Sequence, residues 1–147
     1  MIVAVHAFTG AALSRLCRTS GQAFALGFAS HLVADAMPHR DFDVSLEGAL
    51  ALAALACIGL AHGTSSREFA GALGAVAPDL ENAVAQALHL PDEKLLLPTH
   101  NRYHGEKVDN VAGQVALALG CIAILALPAC EQSKSRRVEE SRSRKDA

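Results

Sequence analysis

The segment "SHLVADAMPHRDFD", residues 30–43, places His31, Asp35, His39, Arg40, Asp41 and Asp43 among Leu32, Val33 and Met37. His31 and Asp35 are four residues apart, a spacing that puts both on one face of a helix. An ionised Asp and a His taken out of water are costly unless each is paired. They can pair with each other. Yet the turn after Pro38 adds His39, Asp41 and Asp43, more partners than one salt bridge needs. Two imidazoles with up to three carboxylates form a donor set suited to Zn²⁺, Mn²⁺ or Fe²⁺.

The same chemistry recurs elsewhere. "HNRYHG" sets His100 and His104 four apart, and "GAVAPDLEN" drops Asp79 and Glu81 into an Ala/Gly/Val-rich run directly after Pro78. His6 is the one ionisable side chain among the first fourteen residues. The candidate ligands are His6, His31, Asp35, His39, Asp79, His100 and His104. Asp41 or Glu81 is a candidate general base for a water on the ion. Arg40 and Arg102 are candidate phosphate contacts. Asp109, Asn110 and Gln114 give the segment beginning "KVDNVAGQ" a polar face able to orient ligands. His62 and His89 fit helix C-termini, where the dipole favours them.

Helices must carry these groups. Ala and Leu dominate and period-two alternation is scarce, which predicts an all-α chain. Five segments emerge, arranged as an up-and-down bundle. The first spans about 2–16. The second spans 21–37, capped by Ser20 and stopped by Pro38. The third spans 45–62, with Glu47 in its first turn. The fourth spans 67–90, capped by Ser66, and Pro78 should kink or divide it. The fifth spans 108–127. In the second helix, Phe24, Phe28, His31 and Asp35 define the expected inward face. Residues 1–130 form the helical domain and 131–147 a polar, charge-rich tail expected to be disordered.

Half of the 147 residues, 51%, are hydrophobic and only 19% charged. Charge-free stretches at 48–66 and 111–130 approach the roughly 20 residues that span a hydrocarbon core. If the helices alternate across a bilayer, Arg15, Arg18, Arg67 and the basic tail share one side, and Arg40, Lys94, Arg102 and Lys107 the other. The first side would be cytoplasmic. The expectation is a multi-pass protein of the cell membrane with its tail in the cytoplasm. The tail carries net +2 and the body −4, so the body is no nucleic-acid surface. Cys17, Cys57, Cys121 and Cys130 form no CxxC pair and read as small buried hydrophobes.

"SHLVADAMPHRDFD" resembles the "SHLLLDxxPHxD" segment of bacterial membrane-bound metal-dependent hydrolase-like proteins, and "GALGAVAPDLENAV" is similar to their "GALLPDxD" segment. The HxxxD spacing is more loosely similar to the helical zinc phospholipase C and P1-nuclease group. The resemblance implies site roles for His31, Asp35, His39 and Asp79. Glu81 stands where the second acid of "PDxD" would be. The resulting expectation is a hydrolase of a phosphoester, with lipids among the candidate substrates, that uses zinc, manganese or iron. Its rivals are a closed structural or transport metal site, and an interaction module recruiting a partner through the tail.

Overall fold

The computed structural model describes residues 1–91, 105–106 and 108–128. His100, Arg102, His104, Cys130 and the tail lie outside them. The described residues form five α-helices and no strand: α1 (Val3–Leu13), continued by a 3-10 turn (Ser14–Leu16), α2 (Ser20–Asp35), α3 (Val44–His62), α4 (Arg67–Ala87) and α5 (Ala112–Ala126). This is a helical bundle, as the composition required.

The helix ends follow local chemistry. Thr19, not Ser20, caps α2: its hydroxyl accepts from the Gln22 amide at 3.2 Å, and the Gln22 side chain accepts from the Thr19 amide at 3.3 Å. A T-x-x-Q box fills two orphan donors at once, which Ser20 cannot do. Asp43 caps α3, accepting from the Ser45 and Leu46 amides at 3.1 Å each. Its carboxylate is thereby committed to the backbone. Ser66 caps α4 through the Phe69 amide, as expected. α4 runs unbroken through the fully buried Pro78, so the proline does not divide it. It ends where His89 takes φ 51° and Leu90 donates to the Ala85 carbonyl at 2.9 Å, a C-terminal wrap in which the left-handed residue is ordinarily Gly. α5 begins at Ala112 rather than at 108. The backbone before it pairs instead with the α2–α3 turn: His39 donates to the Glu106 carbonyl and Val108 to that of His39, at 3.1 and 3.0 Å.

α1 is the central helix and touches each of the other four. α1, α3 and α5 begin at one end of the bundle, where α2 finishes. The opposite end is basic. There Arg15 donates to the carbonyls of Ile124, Leu125 and Leu127, closing α5, and Arg67 donates to that of Cys17.

The interior is built from small residues. Ala7, Ala11, Ala23, Ala72 and Ala75 have no accessible surface. A Cβ on Gly10 or Gly27 would strike the Gly71 backbone, and one on Gly74 that of Phe24. Helices meet here backbone to backbone, the packing that small residues permit. The expected inward face of α2 is corrected accordingly. Its buried residues are Ala23, Gly27, His31, Ala34 and Asp35, while Phe24 is 43% exposed. A phenylalanine on the inner face would hold α4 away.

Large apolar side chains lie outside: Leu60 is 89% exposed, Leu52 71% and Val33 67%. α3 buries only Ala51, Ala54 and Ile58, and α5 only Gln114, Cys121 and Leu125. α3 has a mean hydropathy of 2.0 and is the one helix among the described residues long and apolar enough to cross a membrane; α5 is shorter. Cys57 is exposed, not buried as its type suggested, while Cys17 and Cys121 are buried.

Candidate metal centre

The polar end of the bundle gathers groups from all five helices, α3 through the supporting carboxylate of Glu47. His6 comes from the second turn of α1, His31 and Asp35 from the last turns of α2, and Asp79 from the middle of α4. α5 contributes Gln114. Small residues make this convergence possible. With Gly27 and Gly71 in contact, α2 and α4 approach closely enough for the His31 ring to reach the α4 backbone. His31 Nδ1 donates to the Ala75 carbonyl at 2.8 Å.

Asp35 is the hub. Its Oδ1 lies 3.0 Å from His6 Nε2 and its Oδ2 3.1 Å from His31 Nε2. The Met1 ammonium donates to the same Oδ1 at 3.0 Å. The two imidazoles stack with centroids 4.1 Å apart and planes inclined by 28°. On the α4 side, His31 Nδ1 is 3.7 Å from Asp79 Oδ2. One ligand atom from each of His6, His31 and Asp79 lies within 4.8 Å of the others. His6, His31 and Asp35 are buried; Asp79 keeps 13% of its side chain accessible, the most open of the four.

Two atoms of this cluster are conspicuous. His6 Nδ1 and Asp35 Oδ2 are each buried without a hydrogen-bond partner among the described residues. A buried polar atom left unpaired costs about 1–3 kcal/mol, and the neighbours of His6 Nδ1 are a second imidazole and a carboxylate. Two nitrogens and a carboxylate oxygen, buried together, fit a divalent transition ion.

A second group adjoins the first. His39 is fully buried; its Nδ1 donates to the Met37 carbonyl at 2.7 Å and its Nε2 lies 3.2 Å from Asp41 Oδ1. Asp41, 32% accessible, also lies 2.9 Å from the Met1 ammonium, which links the two groups. Arg40 is exposed and donates to the Asp109 carbonyl at 2.9 Å. Glu81 is half-buried. It stands two residues beyond Asp79, about 200° around the helix at 3.6 residues per turn, so the two acids project to different sides.

Sequence reasoning missed the role of one supporting residue and misassigned the contacts of another. Glu47 accepts from the Val3 amide at 2.7 Å and the Phe42 amide at 2.9 Å, clamping the start of α1 to the turn bearing the site. Its place in the first turn of α3 signalled only a dipole role. Gln114, anticipated as an orienting group, reaches the backbone instead: it accepts from the Ile2 amide at 3.0 Å and donates to the Arg40 carbonyl at 3.1 Å. Asn110 accepts from the Ala112 amide at the start of α5. Compared with family models, with curated proteins and with solved structures, the chain matches none.

Proposed function

We propose that this chain is a membrane-embedded, metal-dependent hydrolase of a phosphoester, with a lipid headgroup as the favoured substrate. The carrying observation is the buried, partnerless Nδ1 of His6 beside His31 and Asp79. These three supply the ligand atoms for one divalent ion, zinc by donor type. An ion held there supplies Lewis acidity, polarising a phosphoryl oxygen and lowering the pKa of water towards neutrality. In this reading Asp41, partly accessible and beside His39, takes the proton from water. Arg40, exposed at the same end, is within the region a phosphate would approach. The similarity of the two motif segments to hydrolase-like proteins supports this chemistry.

The membrane part rests on the inverted distribution of side-chain size: alanines inside, leucines outside. Water would penalise such a surface, whereas lipid does not. α3, at 19 residues, is about 28 Å long at 1.5 Å per residue, close to the hydrocarbon thickness. Arg15 and Arg67 lie at the end opposite the site, and by the positive-inside rule this supports a reading in which the site faces the non-cytoplasmic side.

A second reading, a closed structural or transport site, is favoured by the near-complete burial of His6, His31 and Asp35. Metal analysis of detergent-purified protein beside His31→Ala separates metal binding from none: the wild type retains about one ion per chain, the variant little. Asp41→Asn then separates the two readings. Under hydrolysis it keeps the ion and loses at least about tenfold in turnover of a phosphodiester or phosphatidic acid, a typical general-base contribution being larger still. If metal-loaded wild type turns over neither ester, the closed site stands.

A further inference from the structure

We propose that Asp35 is a positioning carboxylate rather than a ligand, and that it directs His6 to bind the ion through Nδ1. The inference rests on the metal reading above and goes further by assigning the atom.

A histidine has two nitrogens, and the one that binds metal is set by what the other does. For His6 the two edges of the ring differ sharply. Nε2 lies 3.0 Å from Asp35 Oδ1, so a proton on Nε2 is held by the carboxylate. Nδ1 has no hydrogen-bond partner among the described residues and is enclosed. A carboxylate gripping the far N–H of a ligating imidazole fixes ring and tautomer and raises ligand basicity. Asp35 is held in its turn. The Met1 ammonium donates to Oδ1, His31 Nε2 lies against Oδ2, and the Asp35 carbonyl accepts from the Gly105 amide at 2.7 Å. With Oδ1 shared between the Met1 ammonium and His6 Nε2, Asp35 stands outside the group of ligand atoms, one each from His6, His31 and Asp79, that lie within 4.8 Å of one another. Asp79, whose Oδ2 approaches His31 Nδ1 from α4, provides the carboxylate oxygen instead. The motif spacing alone suggests the opposite, because His31 and Asp35 look like a ligand pair one turn apart.

The test uses the full chain in detergent, loaded with zinc and labelled with ¹⁵N-histidine. The ring-nitrogen shifts of His6, assigned by comparison with His6→Gln, should show the metal on Nδ1 and a proton on Nε2. In parallel, zinc content and affinity are measured for Asp35→Asn, Asp35→Glu and Asp79→Asn. Asp35→Asn should keep wild-type stoichiometry at saturating zinc with affinity about 10–100-fold weaker. Asp35→Glu should recover part of that loss, and Asp79→Asn should fail to hold stoichiometric zinc. Metallation of His6 on Nε2 would overturn the assignment while leaving the metal site intact. Equal loss of stoichiometry in Asp35→Asn and Asp79→Asn, with both folded by circular dichroism, would make Asp35 a ligand and also overturn it. Wild type that takes up no zinc overturns the metal reading and this inference together.

Discussion

Gln114 uses one amide to join three segments: it holds the Ile2 N–H and the Arg40 carbonyl while rooted in the first turn of α5. Replacing it with Leu leaves the volume but strands two backbone groups in a buried setting, at about 1–3 kcal/mol. Gln114→Leu should therefore lower the thermal midpoint and also weaken zinc binding, because Ile2 sets the start of the helix carrying His6. A drop in midpoint with unchanged zinc affinity would mean that the α1 start is held by Glu47 alone. At this scale much was legible beforehand. The HxxxD spacing foretold that His31 and Asp35 share a face, and the lone ionisable side chain of His6 in an apolar run marked it out. Local spacing cannot show that Glu47 reaches across 44 positions to Val3, or that Asp43 is spent on a helix cap while Asp41, two residues earlier, stays with the site. Those outcomes depend on where the turn lies in space.

Helices in this bundle are identified by what they lack. α1, α2 and α4 cross at Gly10, Gly27, Gly71 and Gly74, with alanines filling the spaces between. The helices themselves were readable from composition and caps. Their orientation was not. α2 is apolar nearly all round, so hydrophobicity did not distinguish the inward face, and Phe24 was put there by its helical spacing from Phe28, His31 and Asp35. The decisive signal was the run of small residues at 23, 27 and 34. Gly71 faces both Gly10 and Gly27, which makes it the tightest point. Gly71→Val should separate the α1, α2 and α4 contacts and cost at least about 1–3 kcal/mol in overpacking. Loss of zinc should accompany it, since His31 reaches Ala75 only while α2 and α4 touch. Thermal unfolding in detergent, with metal content measured alongside, would detect both effects; a neutral Gly71→Val would refute the close crossing.

Considered whole, the molecule has a polar end, a basic end and an apolar flank. Cys57 provides a probe of the flank, being exposed on α3 between Leu52 and Leu60, which are likewise exposed. If lipid covers α3, a membrane-impermeant maleimide should leave Cys57 unmodified in intact and in opened membranes, yet label it after unfolding in SDS. Rapid labelling in native membranes would place α3 in water. The protein should also remain with the membrane fraction through carbonate extraction, and release by carbonate would reject a spanning α3.

The alanine and glycine interior has a further effect, on freedom of movement. Ala and Gly carry no rotatable side chain, so ordering them in the core loses no rotamer entropy, whereas long core side chains lose up to about 2 kcal/mol each. A wall without rotamers also cannot adapt by switching them. Around His6 and His31 the neighbouring positions Ala7, Gly10, Ala34 and Ala75 offer no torsion that could relax to suit a larger or smaller guest. The spacing between the two imidazoles is therefore set by the separation of the helix axes and their own torsions, and were an ion held there, adjustment to its radius would fall on those rings, on the carboxylate of Asp79 or on movement of an entire helix.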